Sequence, residues 1–186
     1  MPHSSLPDNF YDIITPRLHR RIGRELRLAG RVLDLGCGSC ELVSFLAETY
    51  HIDVTGADIS SDSFPERSPS AGEEQIRCIR KDAKHLDFMA KESVDAVVIK
   101  MAMHEMEHPE AILREAYRIL RPGGEILIVD FPQDSLAQKI WNENYYSPAK
   151  IGKLLAEAEF YNIRVRLIEQ GQIIWARGFR PPARGS

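Results

Sequence analysis

Three features of the sequence predict an α/β fold: a doubly wound, mostly parallel seven-stranded sheet with helices on both faces. Short apolar runs alternate with amphipathic stretches from residue 31 to residue 130, the order expected of a parallel sheet with helical crossovers. The first apolar run empties into a glycine-rich turn, Gly36-Cys37-Gly38. The last two runs, NIRVRLI and QIIWARG, are parted only by EQG. That gap is too short for a crossover, so it predicts an antiparallel closing pair.

The elements follow in order. Residues 1–15 hold Pro2, Pro7 and several polar side chains and read as a loose lead-in. Pro16 suits a first-turn position with Thr15 as cap, and Leu18, Ile22 and Leu26 then recur at helical spacing, which predicts an N-terminal helix over 16–29 ended by Gly30. RVLDLG is the first strand, CELVSFLAETY a helix, and IDVTGAD the second strand. Residues 60–74, rich in Ser, Pro and acids, form a loop with room for a short helix. QIRCIRKD and SVDAVVIK are the third and fourth strands. PEAILREAYRIL is a helix opened by Pro109, RPGG interrupts the chain, and EILIVDF is the fifth strand. Ser147 before Pro148 starts the helix SPAKIGKLLAEAEF. All 186 residues fit one domain.

Hydrophobic residues make up 44% of the chain and charged residues 27%, with a net charge of −3. This balance excludes bulk attraction to nucleic acid or anionic lipid. No apolar run reaches the length of a membrane span, and MPHSSLPDNF lacks the regions of a signal peptide. Three cysteines are an odd number for a disulfide framework. A reduced, cytoplasmic protein is the expectation; oligomeric state is not legible.

The segment VLDLGCGSC carries the most information. Glycines after an apolar strand let the backbone turn sharply and let a ligand approach it, and the helix that follows offers unpaired N–H groups. Asp58 ends the second strand at the position where a carboxylate accepts hydrogen bonds from both ribose hydroxyls of an adenosine. The pair points to a nucleoside-containing cofactor on a Rossmann-like fold. The dinucleotide fingerprint fails, because its third glycine falls on Glu41. Glu41 and Asp34 would repel a diphosphate but suit an ammonium and a sulfonium. S-adenosyl-L-methionine carries both.

The chain resembles the class I S-adenosylmethionine-dependent methyltransferases, most closely the ubiquinone/menaquinone-biosynthesis-like (type 11) group. VLDLGCGSC, VTGADIS and RKDAKHLDF resemble that family's first three motifs, and VDAVVIKMAMHEMEHPEAILREAYRILRPGG resembles its long fourth stretch. Four motifs in the correct order make the resemblance specific. It implies in-line methyl transfer to a small-molecule acceptor, with S-adenosyl-L-homocysteine as product. It further implies that Asp34, Gly36, Cys37 and Gly38 line the methionine end and that Asp58 holds the ribose. Ile59 should pack on the adenine, Asp82 and Ala83 should meet its amino edge, and Lys100 and Met101 should contribute main chain. Cys40 stands where the family has a third glycine, and Glu105 where it has a second histidine. His104 is the candidate base on the acceptor side. Trp141, Tyr145 and Tyr146 are candidates for the acceptor wall, with packing against the last helix as the alternative, and Tyr11 for a lid.

HEMEH, residues 104–108, has the form H-E-x-x-H of a zinc hydrolase helix. Pro109 directly after His108 disfavours helical angles there. CGSC offers a metal or redox pair, but its space is that of the cofactor. No metal is expected. A module that binds the cofactor without catalysis is the remaining alternative.

Overall fold

The structure is a computed structural model and describes Pro7, residues 9–65 and residues 76–183. Residues 1–6 and 8 of the lead-in and residues 66–74 of the loop lie outside the described residues. In chain order the elements are α1 (Phe10–Leu26), β1 (Arg31–Leu35), α2 (Glu41–Tyr50), β2 (Asp53–Asp58), β3 (Ile76–Arg80) and β4 (Val94–Lys100). A 3-10 turn (Met103–Glu105) precedes α3 (Pro109–Ile119) and β5 (Leu120–Asp130). Then come α4 (Leu136–Trp141), α5 (Pro148–Glu157), β6 (Tyr161–Ile168) and β7 (Ile173–Phe179). The seven strands are ordered β3-β2-β1-β4-β5-β7-β6. All neighbours pair in parallel up to β5, and β7 runs antiparallel to both β5 and β6.

Strand alternation sorts the core into two layers. Val32, Val54, Val98, Leu127 and Val129 pack with Leu18 and Ile22 of α1 and Leu42 and Leu46 of α2. Leu33, Val97, Ile99, Ile126 and Ile128 pack with Ile112 and Leu113 of α3 and Ile151 and Leu155 of α5. Both faces of the central strands are therefore covered, as parallel strands require. The winding reverses between β1 and β4, which opens a crevice at their carboxyl ends.

Three elements differ from the sequence reading. Helix α1 begins at Phe10 and carries Pro16 in its interior. Phe10, Tyr11 and Ile14 before the proline are all buried. Burying each such side chain contributes about 1.5–3 kcal/mol, so together they outweigh the roughly 3 kcal/mol cost of an interior proline. RPGG does not end an element: β5 runs through it, and its register against β4 shifts between Val94 and Ala96. Gly123, at φ +80°, makes that irregularity possible, and Gly123 and Arg180 are joined by a main-chain bond of 3.0 Å. Helix α4 has no counterpart in the sequence reading.

Candidate active site

The cofactor half of the crevice is shaped by main chain. After β1 the chain turns through Gly36 (φ +73°) and Gly38 (φ +49°). The N–H groups of Gly36 and Cys37 both donate to the Ala57 carbonyl, at 2.8 and 3.3 Å, which locks the turn to the end of β2. A Cβ on Gly36 would lie 2.4 Å from the Ala102 Cβ, so only glycine fits there. A Cβ on Gly38 would enter open space, the side from which a ligand approaches. Asp58 Oδ2 accepts from the Gly38 N–H at 2.9 Å, and its Oδ1 from the Ser60 N–H at 3.0 Å. The acid thus braces the glycine turn.

A cavity of about 440 Å³ runs from this turn along the carboxyl ends of β1, β2 and β4, within the usual size of small-molecule sites. Of the residues singled out in the sequence, Gly36, Gly38, Asp58, Ile59, Asp82, Ala83 and Met101 line it. Asp34, Cys37 and Lys100 are not in the lining. Asp34 is buried beneath the turn, and its Oδ1 has no hydrogen-bond partner. Burial pushes its carboxyl up to about 7; Lys100 opposes that rise and Asp58 adds to it. Ile59 is 68% exposed, an aliphatic face with little of the chain packed on it. Asp82 Oδ1 accepts from the Lys84 N–H at 2.9 Å and closes its own turn. Met101 takes a left-handed backbone (φ +52°) where β4 ends, an uncommon conformation for a long side chain. A pocket with a glycine floor, an acid at the ribose position, an exposed aliphatic face and an unpaired buried carboxylate suits an adenosine that carries a cationic tail.

The cysteines depart from expectation. Cys40 and Cys78 form a disulfide with a Cα–Cα separation of 6.5 Å, which ties the start of α2 to β3. Cys40 adopts φ +61°, the left-handed conformation that a glycine would take without strain. The odd count is resolved by leaving Cys37 free and buried, its sulfur 3.8 Å from that of Cys40. Burial pushes the Cys37 thiol far up, and the Asp34 and Asp58 charges push it further, so it is a poor nucleophile.

Beside this cavity stands a group of side chains, of which only Glu105 lines it. His104 sits in the 3-10 turn after β4 and Asp130 ends β5. Asp130 Oδ1 lies 2.8 Å from His104 Nδ1, and its Oδ2 accepts from the His104 main-chain N–H at 3.0 Å. Both side chains are nearly covered, at 4% and 3% exposure. The carboxylate fixes the proton on Nδ1, so Nε2 is the free nitrogen. Glu143 Oε2 is 3.3 Å from Nε2 and Glu105 Oε1 3.7 Å. Burial alone pulls the His104 pKa down. The Asp130 hydrogen bond and the charges of Asp130, Glu105 and Glu143 outweigh it and raise the imidazole above its usual value. Tyr145 donates to Glu143 Oε2 at 2.7 Å, and its ring lies 4.5 Å from that of His104 in a tilted contact.

Around this group, Phe131 contacts Tyr11, Trp141 and Tyr145 at ring distances of 4.8, 5.2 and 5.4 Å. The Tyr11 hydroxyl accepts from the Ala137 N–H at 2.7 Å and pins α1 to the start of α4. Tyr146 is absent from the aromatic group; it packs against the α3–α5 layer. Sequence reasoning missed Asp130 and Glu143. An acid closing the most apolar strand was the available signal for the first; nothing marked the second.

His104 and His108 share no helix. His108 caps α3 with a left-handed backbone, φ +57°. Among the described residues, Cys37, Cys40 and Cys78 bring donor atoms together, as do His104, Glu105 and Glu143. The disulfide occupies the first set, and two of the second are exposed carboxylates.

The strand order, the reversed β7, the glycine turn and the acid ending β2 define a Rossmann-like class I methyltransferase domain. The chain belongs to the methyltransferase domain family, whose sequence profile matches residues 33–128. S-adenosylmethionine is the methyl donor of this family and S-adenosylhomocysteine its product. The chain is 28% identical over 154 residues to phosphoethanolamine N-methyltransferase 1 of Triticum aestivum, covering 75% of this chain and 30% of that protein. It is 28% identical over 138 residues to the ubiquinone/menaquinone biosynthesis C-methyltransferase UbiE of Syntrophotalea carbinolica, covering 66% and 57%. The chain therefore spans less than two thirds of these relatives. Among solved structures, the [4+2]-cyclase SpnF superposes with a TM-score of 0.75 at 17% identity, over 90% of this chain and 82% of that one. The 1,6-didemethyltoxoflavin-N1-methyltransferase of Burkholderia thailandensis, bound to its substrate and S-adenosylhomocysteine, superposes at 0.68 with 19% identity, over 93% and 84%. These likenesses show the fold.

Proposed function

We propose that this chain is an S-adenosylmethionine-dependent methyltransferase that acts on a small-molecule acceptor, with His104 taking the acceptor's proton. When bound, the cofactor supplies an activated methyl group on a sulfonium, so the protein's work is alignment and proton removal. Asp58 accepts from the ribose hydroxyls, and Asp82 and Ala83 meet the edge of the adenine while Ile59 covers its face. Gly36, Gly38 and the main chain of Lys100 and Met101 shape the methionine end, above the buried Asp34 carboxyl. The observation that carries the reading is continuity: the cavity lined by Asp58 is also lined by Glu105, whose Oε1 lies 3.7 Å from His104 Nε2, on the ring that Asp130 meets at Nδ1. Asp130 holds the imidazole in the tautomer whose Nε2 can take a proton. Trp141, Tyr145 and Tyr11 form the acceptor wall.

A second reading, cofactor binding without transfer, draws on one observation: Glu143 covers the free nitrogen of His104. Calorimetry with S-adenosylhomocysteine, followed by transfer of labelled methyl from S-adenosylmethionine into a small-molecule extract, separates them. Binding with transfer supports the first reading, and binding alone the second. Absence of binding removes both.

A further inference from the structure

We infer, building on the methyltransferase reading, that the acceptor is an amine that enters as an ammonium ion and is methylated on nitrogen. The inference starts from charge along the crevice. At the adenosine end the cavity is lined by Lys81 and Lys84 as well as by acids. Both lysines have carboxylate partners, Asp87 and Asp82, each at 3.5 Å. At the opposite end the charged lining groups are Glu105 and Glu107, and Glu143 and Asp130 stand behind them around His104. Neither Glu105 nor Glu143 has a lysine or arginine partner among the described residues; their shared neighbour is His104 Nε2.

That nitrogen makes the site selective. Asp130 holds the Nδ1 proton, so an uncharged His104 turns a lone pair toward two carboxylates that can only accept hydrogen bonds. Such an arrangement is satisfied by a positive charge placed among them. A protonated imidazole supplies it when the acceptor is away. An ammonium group supplies it when the acceptor is present, with N–H donors for Glu105 and Glu143. The surrounding rings favour the same guest. Phe131, Trp141 and Tyr145 cluster beside His104, the Tyr145 hydroxyl donates to Glu143, and aromatic rings attract cations electrostatically. Phenolate, carboxylate and phosphate groups meet repulsion at this end.

The proton steps balance. Uncharged His104 takes one proton from the ammonium and frees the nitrogen lone pair. The nitrogen–carbon bond forms as the sulfur–carbon bond breaks, and the sulfur keeps that electron pair. The product leaves as a methylated ammonium, and His104 keeps the proton until the next ammonium enters, when it passes to water.

The test uses the full chain saturated with S-adenosylhomocysteine. Phenethylamine, its neutral isostere phenethyl alcohol and the anion phenylacetate are titrated by calorimetry at low salt. The amine is expected to bind at least tenfold more tightly than the alcohol, and the anion not at all. Glu143→Gln should remove most of that preference while leaving affinity for S-adenosylhomocysteine unchanged. Tyramine, with labelled S-adenosylmethionine, then reports the attacked atom, nitrogen against phenolic oxygen. Equal binding of amine and alcohol, preferred binding of the anion, binding of none of the three, or methyl on oxygen overturns the inference. In each case the methyltransferase reading stands if S-adenosylhomocysteine binds; loss of that binding is the separate failure of the broader reading.

Discussion

Gly38 and Asp58 are 20 positions apart and meet through a main-chain N–H; His104 and Asp130 are 26 apart and meet through a ring nitrogen. The first contact belongs to the adenosine half of the crevice, where Gly36, Cys37 and Gly38 present backbone and Ala57 and Asp58 receive it. The second belongs to the group proposed as the acceptor half, where side chains from the β4 turn, the β5 end and the segment after α4 converge. Backbone recognition depends on the shape of the turn, which Gly36 sets by leaving no room for a Cβ. Side-chain recognition depends on each partner in turn, so the acceptor half can be retuned by single replacements that leave the cofactor half intact.

That contrast can be broken most severely at Asp130. Replacement by Asn removes the charge that orients His104, and kcat should fall by about 10²–10⁴ while affinity for S-adenosylhomocysteine is unchanged. Loss of cofactor affinity in the same variant would join the two halves. The wild type should also lose activity as pH falls through a His104 pKa above 6.5, because the protonated imidazole cannot accept a proton. This limb faces Asp130, Glu105, Glu143 and Tyr145, and a kcat–pH profile of Glu143→Gln should show it displaced downward. Next in size is Cys78→Ser. Opening a tie between residues 38 positions apart should cost about 3–4 kcal/mol of stability, read by denaturant unfolding without reductant. If the glycine turn is held by backbone as described, the variant keeps most of its cofactor affinity. Asp58→Ala should weaken S-adenosylhomocysteine by about 2 kcal/mol, because it loses both the ribose contacts and the brace to Gly38; unchanged affinity removes the ribose assignment. The smallest effect is expected from Tyr11→Phe, which forfeits one hydrogen bond to Ala137, about 1 kcal/mol. It should raise the acceptor KM and spare cofactor binding.

The same contrast explains what could be read in the sequence. Gly36, Gly38 and Asp58 act through local geometry, so residue type and spacing are enough to find them. The seven strands, the antiparallel closing pair and the helix starts at Ser147 and Pro109 are local in the same sense. Asp130 and Glu143 have meaning only beside His104, and nothing in EILIVDF or WNENYYSP announces that meeting. The Cys40–Cys78 bond escaped for the same reason: β2 and β3 had to be placed side by side first. Helix α1 failed differently. Its proline was a correct local signal overruled by burial on both sides of it.

Among the described residues the sheet ends in two border strands, β3 and β6. An uncapped strand is a template on which another chain can add hydrogen bonds. Here each border carries arginines that face solvent, Arg77 and Arg80 on one side and Arg164 and Arg166 on the other. Guanidinium rows of this kind repel a second copy brought edge to edge and make desolvating the border expensive. The molecule thus carries built-in protection against fibrillar growth.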